Sequence, residues 1–82
     1  MGKLVVLPRL GDTVDEVVVI EWLVEVGAGV AVGDPLVRVE TDKVEVDVDA
    51  PFAGIVSEIL VGQGDEVRTG AVLCVITPEE GR

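Results

Sequence analysis

Histidine and tyrosine are absent from this chain, cysteine occurs once (Cys74), and lysine twice (Lys3 and Lys43). The aromatic residues are Trp22 and Phe52. Without histidine there is no His-dependent catalytic triad and no zinc site with His ligands. A single cysteine excludes an internal disulfide, a paired-thiol redox motif and a thiolate pair for a metal; a reducing compartment is expected. Basic residues are scarce as well, six against sixteen acids, for a net charge of −10. Such a charge repels phosphate backbones and anionic lipids, so nucleic acid and membrane surfaces are not expected partners. Apolar runs such as Val17 to Ile20 fall far short of the roughly 20 residues that span a bilayer. The N-terminus lacks the basic-then-apolar order of a secretory signal.

What is present is valine. Twenty of the 82 residues are Val, and branched side chains favour pleated sheet over helix. The length suits one small domain. Lys3 to Leu7 reads as a strand ended by Pro8, and "PRLGDTVDE", Pro8 to Glu16, as an exposed polar loop. "VVVIEWLVEV" is a strand broken by "GAG", and "LVRVET" resumes after the "VGDP" turn. Val44, Val46 and Val48 alternate with Glu45, Asp47 and Asp49, the period of a half-buried strand. "GIVSEILV" and "AVLCVIT" supply two more strands, joined by "GQGDEVRTG". No window shows a helical repeat. The domain is expected to span residues 1–78, with 79–82 a tail or the start of a linker.

The chain also repeats itself. At an offset of 37 residues, Val19, Glu21, Leu23, Val24, Gly27, Val30, Gly33 and Leu36 meet identical residues, eight identities in the 22 pairs from 18/55 to 39/76. Glycines agree in register as well as apolar positions, and glycine marks backbone turns rather than bulk hydrophobicity. Two similar sheets, packed face to face about an approximate two-fold axis, are predicted. The repeat mates of Lys43 are Val6 and Glu80, which sets Lys43 at the end of the domain opposite the termini.

Lys43 stands between two strand-like runs in "VETDKVEVDVDAP". If Asp42 and Lys43 form a two-residue turn, Thr41 faces Val44, Val39 faces Val46 and Val37 faces Val48. The valines then fix the register, because a slip of one residue would expose them. Arg38 faces Asp47, a favourable pair, and Glu40 faces Glu45, an unfavourable one. Asp-Lys is also a poor tight-turn pair beside Asn-Gly or Asp-Gly. Two local rules broken at one place point toward function, although a solvated turn with ordinary surface charge has the same appearance. Trp22 reads as a core or boundary residue, Phe52 as packed under a turn, and Cys74 as a small buried apolar residue.

"ETDKV" resembles the lipoyl-attachment motif of lipoyl domains in the acyltransferase components of 2-oxo acid dehydrogenase complexes. "LPRLGDTVDEVVVIEW", "VGDPL" and "APFAGIV" are similar to the family's other segments, and together the resemblance covers nearly all of residues 4 to 77. It implies an all-β fold, a flattened barrel or sandwich of two four-stranded antiparallel sheets with quasi-two-fold symmetry. It also implies lipoic acid joined as an amide to Lys43 Nζ, with Asp42 helping a lipoylating enzyme to identify that lysine. Glu40, Val44 and Glu45 at the hairpin, and Leu10, Gly11, Asp12 and Thr13 in the neighbouring loop, are the recognition residues it implies. Val17 departs from the pattern, since the family commonly has Gly there, and that leaves the course of the loop open. The related biotinyl domains usually flank their lysine with methionines, where this chain has Asp42 and Val44. The glycine-cleavage carrier is similar in fold but longer.

The resemblance makes the chain a carrier domain rather than an enzyme by itself. An unmodified exposed lysine is protonated near neutral pH, and so is neither nucleophile nor base. Once acylated it becomes a tether, and the cofactor supplies the chemistry. The arm would visit a thiamine-diphosphate-dependent 2-oxo acid decarboxylase, the acyltransferase catalytic core and a dihydrolipoyl dehydrogenase at high local concentration. The acids around the tip would steer it to a basic surface. A monomer is expected for the isolated domain, in a bacterial cytoplasm or, for a trimmed eukaryotic domain, the mitochondrial matrix. A biotin carrier and an unmodified acidic interaction module are the alternatives.

Overall fold

The computed structural model describes residues 2–10, 15–42 and 44–78. Among them are eight strands and no helix: β1 (Lys3–Val6), β2 (Glu16–Trp22), β3 (Gly29–Val30), β4 (Pro35–Glu40), β5 (Glu45–Asp49), β6 (Gly54–Ile59), β7 (Glu66–Arg68) and β8 (Val72–Thr77). They form two four-stranded antiparallel sheets. The first has the order β1-β8-β6-β3 and the second β5-β4-β2-β7. This is the predicted sandwich of two four-stranded sheets.

Alternation decides which side chains meet between the sheets. Val37, Val39 and Val48 of the second sheet and Val5, Val56 and Ile76 of the first are buried together with Leu36 and Leu73. Each such side chain removed from water contributes about 1.5–3 kcal/mol before the entropy of ordering is subtracted. Cys74 lies in this core as a free thiol, fully buried. Trp22 sits at the boundary, where its indole Nε1 donates to the Val61 carbonyl at 2.8 Å. Phe52 is half-buried against the core, with the Lys3 ammonium 5.5 Å from its ring centre.

The repeat is real in three dimensions. Gly27 and Gly64, 37 residues apart, turn the chain with φ of 97° and 88°, a region open to glycine at little cost. Gly27 N–H donates to Val56 O at 2.7 Å, and Gly64 N–H donates to Val19 O at 2.8 Å. These are the same bond in the two halves, since Val19 and Val56 are themselves mates.

Three sequence readings need correction. A repeat half does not make a sheet: β2 and β4 lie in the second sheet, while β3 between them crosses to the first, and β7 crosses the other way. The strands read as 17–26 and 54–61 stop at Trp22 and Ile59, and the "GQGDEVRTG" connector contains β7. The offset of 37 also fails for the outer strands. Lys3 pairs with Ile76 as Val46 pairs with Val39, and Val6 pairs with Val72 as Asp49 pairs with Pro35. β1 and β5 are therefore mates at an offset of 43, and Val6 corresponds to Asp49 rather than to Lys43. Between mate positions, the stretch from Val6 to Val17 is six residues longer than that from Asp49 to Gly54, which accounts for the difference between 37 and 43.

Candidate functional site

The β4–β5 hairpin adopts the register that its valines dictate. Val37 pairs with Val48, Arg38 with Asp47, Val39 with Val46 and Glu40 with Glu45. Arg38 Nε donates to Asp47 Oδ1 at 3.1 Å, on an exposed surface. The hydrogen bond and then the charge of Asp47 raise the Arg38 pKa, so the guanidinium stays charged. The pair holds the hairpin in register, and at this exposure contributes little to stability. Among the described residues no comparable bond offsets the facing Glu40 and Glu45.

Thr41 closes the tip. Its backbone N–H donates to Val44 O at 2.8 Å. Its hydroxyl donates to the same carbonyl at 2.9 Å and accepts from Val44 N–H at 3.1 Å. The side chain thus takes up a donor and an acceptor that a tight turn would otherwise pair through backbone alone. These bonds join the two residues on either side of the Asp-Lys pair, where Asn-Gly would be expected between them. Thr41 is the buried polar residue of the protein among those described. Sequence reading used Thr41 only for register and missed this role; the signal was a β-branched hydroxyl residue immediately before a turn lacking glycine.

The site residues expected from sequence divide as follows. Glu40, Asp42, Val44 and Glu45 are exposed and adjacent at the tip. Lys43, Gly11, Asp12 and Thr13 lie outside the described residues. Leu10 is half-buried, not exposed, and packs against the core. It lies over a cleft beside Asp47, Val48 and Asp49, toward the far half of β5. Beside the hairpin tip, Glu40 and Asp42 share a hollow of about 190 Å³ with Glu16 and Glu66. The last two were not expected at the site. They arrive there because Val18 of β2 pairs with both Glu40 and Glu66, a juxtaposition that only the sheet order reveals.

Charge is unevenly placed between the sheets. Exposed acids on the strands of the hairpin's sheet are Glu16, Glu21, Glu40, Glu45, Asp47, Asp49 and Glu66, whereas the strands of the other sheet carry Glu58. Among the described residues no cluster of His, Cys, Asp and Glu is placed to hold a metal ion. No helix among them is long and apolar enough to cross a membrane.

Comparison with known proteins places this geometry. The family described as "biotin-requiring enzyme", the biotin/lipoyl family, matches residues 3–76. The chain is 45% identical over 67 residues to the dihydrolipoyllysine-residue succinyltransferase component of the 2-oxoglutarate dehydrogenase complex of Bartonella vinsonii subsp. berkhoffii, covering 82% of this chain and 16% of that protein. It is 43% identical over 76 residues to the dihydrolipoyllysine-residue acetyltransferase component of the pyruvate dehydrogenase complex of Corynebacterium glutamicum, covering 93% and 11%. The chain thus spans a small fraction of these relatives' length. In structure it is similar to the lipoyl domain of the 2-oxoglutarate dehydrogenase complex from Azotobacter vinelandii, with a TM-score of 0.73 and 31% identity over 94% of this chain and 96% of that one. A single-chain, multi-domain long-chain acyl-CoA carboxylase contains a similar unit, with a TM-score of 0.80 and 26% identity over 96% of this chain and 7% of that one.

Proposed function

Since the chain belongs to the biotin- and lipoyl-attachment family, we propose that it carries lipoic acid as an amide on Lys43 Nζ. The observation that supports this most is the tip itself: Thr41 and Val44 are bonded across Asp42 and Lys43, with exposed neighbours on both sides. The other lysine, Lys3, sits on β1 against the Phe52 ring. The residues at the tip suit such a group: Asp42 and Val44 are themselves exposed, and among the described residues no carboxylate is buried there. When bound, the dithiolane accepts and releases acyl groups and electrons. The protein's own part is to hold the tip in one conformation and present it.

The chain is a carrier domain and not a catalytic one. The domain proper is residues 1–78, and it acts as a monomer. Its lipoylated form shuttles between a thiamine-diphosphate-dependent 2-oxo acid decarboxylase, an acyltransferase core and a dihydrolipoyl dehydrogenase, in the cytoplasm of a bacterium. Glu40, Glu45 and the other acids of the hairpin's sheet set a negative field that steers the tip toward basic surfaces on those partners and on the lipoylating enzyme. Asp42 and Val44 flank the lysine directly and are the readout of lipoate against biotin. A biotin reading draws on the similarity to the carboxylase unit, but this chain lacks methionines beside Lys43.

Incubation with a lipoylating enzyme, in parallel with a biotinylating one, tests the proposal. Intact mass and peptide mapping should show one lipoyl adduct, on Lys43, and none on Lys43→Arg. A biotin adduct, or loading of Lys3, would overturn it.

A further inference from the structure

β1 and β5 are the outermost strands of their sheets, and among the described residues no strand pairs with their outer edges. The backbone bonds just beyond each strand fix which residues point outward. Leu7 N–H donates to Ala71 O, and Leu7 O accepts from Gly70 N–H. Alternation then turns the N–H and C=O of Val5 toward β8, and those of Leu4 and Val6 away from it. At the mate position, Ala50 N–H donates to Asp34 O, and Ala50 O accepts from Gly33 N–H. Val48 is thereby turned toward β4, and Asp47 and Asp49 outward. Both edges line one open cleft of about 570 Å³, with Leu4 and Val6 from β1 and Asp47 and Asp49 from β5. An unpaired edge is a template for another strand.

The two edges are equivalent in backbone and opposite in side chains. β5 is guarded by an exposed acid at each of these outward positions, a usual defence against unwanted pairing. β1 has no such guard. Leu4 and Val6 are 59% and 45% exposed, and Lys3 at the start of the strand is held over the Phe52 ring, 5.5 Å from its centre. Leu10 and Phe52, both half-buried, add apolar surface to the cleft. On the β5 side, Asp47 is bonded to Arg38 at 3.1 Å. Asp49 is exposed and, among the described residues, has no ion pair or side-chain hydrogen bond.

We propose that the β1 edge is a docking site for an extended segment of a partner protein, which adds to the sheet beside Leu4 and Val6 and directs lysine or arginine toward Asp49. Backbone bonds to Leu4 and Val6 supply the attachment, and apolar side chains at alternate positions of the segment cover those of Leu4 and Val6. Basic residues at the positions between them face into the cleft. Charge selects this occupant over a second copy: two chains of net charge −10 repel each other, whereas a basic segment is attracted. The site does not depend on what Lys43 carries, so the lipoyl reading and this one stand or fall separately.

The probe is a blocked hexapeptide, Lys-Val-Arg-Val-Lys-Val, titrated into the ¹⁵N-labelled 82-residue chain. The amides of Leu4 and Val6 should shift, and at saturation their exchange with deuterated water should slow at least fivefold, while Val5, turned toward β8, keeps its rate. Leu4→Gln and Asp49→Asn, both at exposed positions, should each raise the Kd for the peptide at least threefold and leave the rest of the amide spectrum in place. N-methylation of the peptide's valines keeps its charges but removes the donors that face β1, and should abolish the protection. Equal binding of the methylated peptide, or shifts confined to Glu40, Asp42 and Glu66, would show a purely electrostatic contact and overturn the proposal. So would Leu4 and Val6 amides indifferent to the peptide at several millimolar. Protection of the same amides in a peptide-free sample that sediments as a dimer would overturn the choice of occupant in favour of a second copy.

Discussion

Replacing Thr41 by Val keeps the volume and the β-branch but removes the hydroxyl that bonds Val44 twice, at 2.9 and 3.1 Å. Thr41 is buried, so the change is close to isosteric and leaves no cavity. Two bonds are lost. Each contributes about 0.5–1.5 kcal/mol net, and the part-buried Val44 N–H must find a substitute acceptor. The backbone bond from Thr41 N–H to Val44 O survives, which limits the total to about 1–2 kcal/mol. For a domain of this size that lowers the melting temperature by roughly 4–15 °C, read by calorimetry or circular dichroism. The tip must also be ordered for a lipoylating enzyme to engage it. If the loss falls on the tip alone, kcat/KM for lipoylation drops about 5- to 30-fold at a temperature where Thr41→Val is still fully folded. Thr41→Ser restores the hydroxyl and should recover most of that loss. Equal lipoylation rates for the wild type, Thr41→Val and Thr41→Ser would refute the idea that this hydroxyl shapes the tip, whatever happens to stability.

Gly54→Ala should be much worse than Gly27→Ala. A Cβ at Gly54 meets the Thr77 carbonyl oxygen, Ile76 Cγ2 at 2.8 Å and Pro78 Cα at 2.9 Å, whereas a Cβ at Gly27 meets nothing within 4 Å and suffers only from its φ of 97°. Urea unfolding should give about 1–2 kcal/mol for Gly27→Ala and about 3 kcal/mol or more for Gly54→Ala, where backbone must move; equal costs would contradict the close packing of β6 on β8. Burial pushes the Cys74 thiol up to about 11. A thiol with a raised folded pKa releases its proton more easily when unfolded, so stability should fall as pH rises from about 9 toward 11, by about 1.4 kcal/mol per unit at most. Cys74→Ala should flatten that slope, and a slope unchanged by the substitution would assign it to other groups. The same burial predicts that a disulfide thiol reagent labels Cys74 at pH 8 only as fast as the domain opens, and labelling at the rate of a free thiol would contradict it.

The strands were legible because valine alternation and glycine register are local signals, and local signals survive without knowledge of sheet order. Val44, Val46 and Val48 fixed the hairpin register in advance, and Arg38 met Asp47 as expected. Sheet membership was not local. β3 and β7 are two- and three-residue strands, too short to announce that each crosses to the opposite sheet. That crossing interlocks the halves, since neither repeat can bury its valines alone. The mate of β1 was hidden for a related reason: the longer β1–β2 connection shifts the offset from 37 to 43, so sliding the chain on itself in one rigid step loses the outer strands. What the symmetric frame does with its two ends was legible in part. Mates with identical backbone roles differ in exposed chemistry. The β4–β5 tip continues through Asp42-Lys43, whereas the matching ends of β8 and β1 are separate strand ends with no hairpin between them. The acids follow the hairpin's sheet and leave the other sheet nearly uncharged. A two-fold scaffold thus yields a one-ended domain, because charge and connectivity break the symmetry that the core preserves. The core residues Leu36 and Leu73 remain equivalent and equally buried, so the asymmetry lies where partners meet the molecule and not in what holds it together.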